Sequence, residues 1–412
     1  MRTRGSAART RSLLHYLLDE AASPPASTEG WRMLAAEAEA QELDATAFGV
    51  LSARGDEPPA EVLQRLALAT ALNGVRNAQR RAELRAILDA FAAAGIDSIV
   101  LKGMHLAHRV YPDPSMRVMA DMDLLVRKAS LPVAARVMRE LGYRADREEA
   151  LEHTIATAHH LPAFRREDAS PVEIHWTISR PPAPFDVGID GLWERSRSAR
   201  LGDVEAHVLS DEDLLRHLCV HLSYNHSWVL REQREVPLRA IVDIAMHLRQ
   251  SAPSLDCAAL AERANRDGSG RFIYCALAVV ERLAGVPLAH LLPLLDRRAG
   301  DDAIVAMACE LVSARETGGV AESVTHVASL RGASRARAAW RAVFPTREMM
   351  RGRFGLATAS EVRPAHYLRR LAGFIVEGRW LGAFTARGRT NAEQRRRRAI
   401  IKAWKRTAAR RG

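Results

Sequence analysis

Residues 96–126 read IDSIVLKGMHLAHRVYPDPSMRVMADMDLLV, and the fold turns on this stretch. Near its end Asp121 and Asp123 stand two apart inside an apolar run. Successive side chains of a β-strand point to opposite faces, so the two carboxylates share one face, and Met122, Leu124 and Val126 share the other. That pattern predicts a strand with one side in a core and the other at the edge of a cleft. Like charges held so close repel unless a cation lies between them, and hard oxygen ligands suit Mg²⁺ or, with similar chemistry, Mn²⁺. Upstream, Ser98 to Leu101 reads as a buried strand, and Lys102-Gly103 opens a helical segment, MHLAHRVY. The first amides of that helix and the Lys102 ammonium suit a phosphate, and Arg117 adds a second cation.

A second informative run is PVEIHWTIS at 171–179, preceded by HHLPAFRRED at 159–168. The first alternates as a half-buried strand, placing Glu173 and His175 on one face and Val172, Ile174 and Trp176 on the other. Beside the Asp121 strand it would bring three carboxylates together. Three converging carboxylates suit a metal-assisted transfer of a phosphorus group, with cations clamping the entering and leaving oxygens.

Taken as a set, Leu101-Lys102-Gly103, Tyr111-Pro112, Arg117, Asp121-Met122-Asp123-Leu124-Leu125-Val126, Leu141-Gly142-Tyr143, His159-His160-Leu161-Pro162 and Val172-Glu173-Ile174-His175-Trp176 resemble the bacterial uncharacterised nucleotidyltransferase family of the polymerase-beta-like superfamily. The resemblance implies an NTP as substrate, ATP among the candidates. It also implies Asp121, Asp123 and Glu173 as catalytic metal ligands, and Lys102, Gly103 and Arg117 as the nucleotide-binding group. His160 and His175 would be outer partners that orient the carboxylates. One position departs from the superfamily's pattern: Met104 follows Gly103 where a serine is usual, so Lys102 and Arg117 would carry more of the phosphate binding.

The remaining sequence predicts the surroundings. At 412 residues and 48% apolar content the chain is long enough for one large or two ordinary domains. Cys219, Cys257, Cys275 and Cys309 lack metal-finger spacing and read as small hydrophobes in a reducing, cytoplasmic compartment. The opening MRTRGSAARTRSLLHYLLDEAA is basic, then apolar; its apolar run is short and interrupted by His15, which predicts a first helix rather than a leader, and no run reaches membrane-spanning length. Helical spacing is expected from Thr28 to about Ala47 and from Glu57 to Ala94, with Gly95 as a stop. A helix is expected over Lys128 to Leu141, a strand near Glu205 to Leu209, and a helix capped by Ser210. Further helices follow at Leu214 to Tyr224, Pro237 to Gln250, Ala258 to Asn265, Phe272 to Ala284 and Ala303 to Ala314, with amphipathic pieces to Leu381. The fold class is therefore α+β, a small mixed sheet with N-terminal helices and a large C-terminal helical domain. The expected divisions are 1–95 as a helical layer, 96–180 as the nucleotidyltransferase core, 181–386 as the mainly helical domain that closes the cleft, and 387–412 as a basic tail.

That tail carries eleven Arg or Lys against one acid, Glu393, and so supplies +10 of the formal +11. The body is nearly neutral, so the basic balance points to the tail as a contact for a polyanion or an acidic partner, not to a nucleic-acid platform. Two function classes follow. One is an enzyme moving a nucleoside monophosphate to a hydroxyl of a small molecule, a peptide or protein, or an RNA end; carboxylates alone also admit a kinase passing on the terminal phosphate. The other is a non-catalytic protein that keeps the fold and binds nucleic acid or a partner through the tail. Among the histidines, His159, His160 and His175 read first as hydrogen-bonded structural residues. His105 with His108 lacks further ligands in the segment, and His217, His221 and His226 lack a zinc-protease glutamate.

Overall fold

A computed structural model describes residues 2–147, 149–225 and 237–313, with 363–365, 367, 396, 399–401, 403 and 404. The amphipathic pieces expected beyond 313, His226 and most of the basic tail lie outside the described residues. The chain divides into two compact units, 1–315 with 404–412, and 316–403; everything below belongs to the first.

Its centre is a seven-stranded mixed sheet. The strands are β1 (Ser98–Val100), β2 (Met122–Val126), β3 (Arg144–Ala145), β4 (Phe164–Arg165), β5 (Val172–His175), β6 (Arg197–Leu201) and β7 (Val204–Val208), in the order β3-β4-β5-β2-β1-β7-β6. β2 pairs antiparallel with β1 and parallel with β5, which makes the sheet mixed. The α+β expectation thus describes the molecule.

The period of two holds in both informative strands. Met122, Leu124 and Val126 of β2 join Val172 and Ile174 of β5, and Trp176 just after it, in one buried cluster. Leu131, Ala134, Val137 and Met138 of the helix Leu131–Glu140 cover that face, with Leu84, Ile87 and Phe91 of the helix Ala60–Ala93.

The Ala60–Ala93 helix begins where Pro58 and Pro59 end their extended run, and it stops at Gly95, whose φ of +68° is open to glycine. Its buried stripe changes character along its length. Val62 and Leu66 are apolar, Thr70, Asn73, Asn77 and Arg80 are polar, and Leu84, Ile87 and Phe91 are apolar again. The polar middle meets the loop between the helix Lys102–Arg109 and β2, whose carbonyls need donors. Asn73 donates to Ser115 O at 2.6 Å, Asn77 to Pro114 O at 2.7 Å and Arg117 O at 3.0 Å, and Arg80 to Met119 O at 2.8 Å. Asn77→Ala orphans two carbonyls at once and is expected to cost about 1–3 kcal/mol, read as a fall in the urea midpoint at unchanged m.

Two local expectations need correction, and one strand gains an unexpected partner. The run from Thr28 to Ala47 is two helices, Thr28–Ala40 and Asp44–Arg54, because Glu42 takes a left-handed φ of 56° and turns the chain so that Leu43 is fully buried. The helix expected from Lys128 starts only at Leu131, since Pro132 belongs in a first helical turn and Lys128–Ser130 form a 3₁₀ turn before it. The short strand near Glu205 is one arm of a hairpin, β6–β7. Its partner β6 is a charged edge strand with Arg197 and Arg200 outward, a polarity that protects an edge and hides the strand signal. Downstream, Ser210 accepts from Asp213 N and caps the helix Asp211–Val220 as expected. A π-helical turn, His221–Asn225, continues it, and the helices Leu238–Ser251, Cys257–Asp267, Gly270–Ala284 and Asp301–Ser313 follow. No helix among the described residues is long and apolar enough to cross a membrane.

Candidate active site

Strand register builds the site. Parallel pairing of β2 with β5 sets Asp123 directly beside Glu173 and Leu125 beside His175. The antiparallel pairing of β1 with β2 runs the end of β1 toward the same place: Leu101 N donates to Asp123 O at 3.0 Å, and Lys102, the next residue, opens its helix there. Lys102 Nζ consequently lies 3.1 Å from Asp123 Oδ1. His175 Nε2 approaches the same oxygen at 2.9 Å and Glu173 Oε2 at 3.5 Å.

Asp121 sits just before β2, half-buried, on the wall of the same cavity of about 370 Å³. The cavity is lined on the sheet side by Lys102, Gly103, Asp121, Asp123 and Glu173, and on the helical side by Leu218, His221, Asn225, Arg239 and Asp243. Gly103 packs closely here: a Cβ would press on Met119 Sδ at 3.1 Å and touch Asp121 O at an ordinary 3.5 Å.

Arg117 reaches this cavity in a way the sequence does not announce. It is buried, and its guanidinium forks onto Asp243, Nε to Oδ1 at 3.0 Å and Nη2 to Oδ2 at 2.8 Å. Tyr111 donates its hydroxyl to Asp243 Oδ1 at 2.8 Å. A planar fork on a carboxylate fixes orientation as well as charge, so this pair ties the loop before β2 to the helix Leu238–Ser251. The loop after β5 is held similarly: Asn225 accepts from Arg180 N and donates to Ile178 O, and the single hydroxyl proton of Tyr224 is shared between Arg180 O at 2.9 Å and Pro182 O at 2.7 Å. The π-helical turn thereby sets the position of Arg180, which also lines the cavity.

The charges divide unevenly. The neighbouring Asp123 charge, then burial, push the Asp121 carboxyl up to about 6. Asp123 is opposite: burial raises it, but the Lys102 ammonium and the His175 hydrogen bond outweigh burial and hold it well below the usual carboxylate range. Burial works against the charged forms of Lys102 and His175, yet the carboxylates win and both are raised. Glu173 is held down by His175 against its own burial. Burial drives His159 strongly down, and with His160 and His175 it forms a packed imidazole cluster, ring centroids 4.7 to 5.3 Å apart. His160 donates through Nδ1 to Leu161 O at 2.7 Å and leaves Nε2 at 3.7 Å from Glu173 Oε2. His105 and His217 are buried and pushed down to about 3 by desolvation, as interior helix residues.

The residues present fit a divalent cation. One donor atom each from Asp123, Glu173 and His175 lie within 4.8 Å of one another, and Asp123 Oδ2 is buried without a hydrogen-bond partner, a costly state that a cation would relieve. The model of an uncharacterised nucleotidyltransferase family matches residues 27–285, well over half of the chain. The chain belongs to that family. No curated protein matches it. In this chain Met104 is packed in the core cluster, so the position after Gly103 contributes volume to the sheet's support and no hydroxyl to the cavity.

Proposed function

We propose that this nucleotidyltransferase moves a nucleoside monophosphate from an NTP to an acceptor hydroxyl and releases pyrophosphate, on the polymerase-beta-like plan. The observation that carries the reading is the register that sets Asp123 beside Glu173, with Lys102 at the same oxygen and Asp121 on the same cavity wall. Asp121, Asp123 and Glu173 would hold Mg²⁺ or Mn²⁺. When bound, such a cation draws charge from the phosphoryl oxygens and acidifies the attacking hydroxyl.

The chain's own groups then have distinct tasks. Lys102 and the first amides of its helix would receive the triphosphate beside Gly103. Arg117 presents its Nη1 edge, which also donates to Val118 O at a long 3.5 Å, while Asp243 fixes its plane. Asp121 holds its proton to about pH 6 because the Asp123 charge and burial disfavour a second anion, and a cation at the site would favour its ionised form. The acceptor oxygen forms a bond to the α-phosphorus, the bond from that phosphorus to the bridging oxygen breaks, pyrophosphate leaves, and water takes the acceptor's proton. The acceptor is a small molecule, a peptide or protein side chain, or an RNA end, entering from the side of the helices Asp211–Val220 and Leu238–Ser251.

The test incubates purified protein with Mg²⁺ or Mn²⁺, each of the four NTPs labelled at the α-phosphorus, and a bacterial lysate as acceptor source. Transfer is expected from the native protein and none from Asp121→Asn/Asp123→Asn. Label carried only by the γ-phosphorus would replace this reading with a kinase. The buried Met104 favours a second reading, a fold kept for binding alone. No transfer of either label from folded protein would establish it, together with polyanion binding that weakens steeply with salt and is lost on deleting residues 387–412.

A further inference from the structure

We propose that His175 is itself a ligand of the cation, which makes the site a mixed nitrogen–oxygen set that selects a first-row transition-metal dication over Mg²⁺. This rests on the metal placement proposed above, and it departs from a carboxylate-only site. His175 shares its strand face with Glu173, and its Nε2 approaches both carboxylates, 2.9 Å from Asp123 Oδ1 and 3.5 Å from Glu173 Oε2, so one donor atom of each of the three lies within 4.8 Å of the others.

One orphaned atom supports the assignment: Asp123 Oδ2 is buried without a hydrogen-bond partner, on a residue that lines the cavity. With a cation in place, His175 Nδ1 would carry the ring proton and Nε2 would offer its lone pair. His160 is the competing nitrogen: it lines the cavity, its Nδ1 donates to Leu161 O and its Nε2 stands farther off, 3.7 Å from Glu173 Oε2. Imidazole nitrogen favours first-row transition dications, whereas Mg²⁺ prefers oxygen and keeps its water.

The experiment uses the full chain, stripped with chelator and titrated with Mn²⁺ in the absence of nucleotide, read by electron paramagnetic resonance with pulsed detection of nitrogen coupling. One tightly bound Mn²⁺ with a nitrogen coupling is expected, displaced by Mg²⁺ only at an excess of about tenfold or more. His175→Gln is expected to lose the coupling and weaken Mn²⁺ at least about tenfold, and His160→Ala to keep the coupling. Should His175→Gln not fold, His160→Ala decides: a retained coupling supports His175, and a lost one moves the nitrogen to His160 and overturns the assignment. Bound Mn²⁺ without nitrogen coupling, coupling that survives His175→Gln, or no bound Mn²⁺ would each overturn it as well. Failure here is separable from failure of the transfer reaction. Nitrogen-ligated Mn²⁺ in a protein that transfers no label keeps the ligand and removes the reaction; oxygen-only Mn²⁺ in an active transferase does the reverse.

Discussion

Asp121→Asn is expected to stabilise the metal-free protein near neutral pH and abolish transfer, while Asp123→Asn, two residues away, abolishes transfer and destabilises. The opposite signs follow from opposite environments. Asp121 is raised from 3.8 to about 6 by the Asp123 charge and by burial. The folded chain therefore binds this proton more tightly than the unfolded one, and the associated stability is complete below about pH 3.8 and lost as pH rises through about 6. Near neutral pH the ionised carboxylate costs roughly 2–3 kcal/mol, which the amide removes; the gain should shrink toward zero around pH 4. Asp123 is held well below its ordinary value, so its charge contributes stability above that value and loses it only in strong acid. Its amide leaves Lys102 and His175 buried beside a neutral group, at about 3–5 kcal/mol. Thermal melts of the three proteins without metal, in acid and near neutrality, check this, and Mn²⁺ should raise the melting temperature of the native chain alone. Both substitutions moving the melt the same way near neutral pH would remove the electrostatic account.

The part of the site that lies on period-two strands was legible from the residues. Asp121 and Asp123 could be placed on one face because apolar residues alternate with them, and Glu173 with His175 for the same reason. That β5 adjoins β2 required the family resemblance, since nothing local dictates which strands pair. The Arg117–Asp243 fork was not legible: its partners stand 126 residues apart, and a lone Asp in an apolar helix carries no local sign of its partner. Asn73, Asn77 and Arg80 fall inside the helix expected from Glu57 to Ala94, but their task was not legible, because the carbonyls they satisfy belong to a loop without a pattern of its own. His159, His160 and His175 read singly as structural histidines. Their convergence arises from β5 meeting the segment before β4 through the bridge between His160 and His175.

The Arg117–Asp243 pair allows a structural strut to be separated from a phosphate-binding group. Asp243→Leu leaves a guanidinium buried without its carboxylate and Tyr111 without its acceptor, and is expected to cost about 3–5 kcal/mol. The double variant Arg117→Met/Asp243→Leu replaces both charges with apolar volume, a change that in other buried pairs is neutral or stabilising. It should recover most of that loss, leaving about 1 kcal/mol for the Tyr111 hydroxyl. Stability and transfer then part company. If Arg117 holds the triphosphate through its Nη1 edge, the double variant melts near the native temperature, yet its kcat/KM for the NTP falls by about a hundredfold, as loss of one charge-assisted contact of roughly 3 kcal/mol requires. Chemical denaturation and steady-state kinetics on the same preparations measure the two quantities. Recovery of both in the double variant would make Arg117 a strut that holds the loop before β2 against the helix Leu238–Ser251, and would leave Lys102 as the triphosphate's main cation.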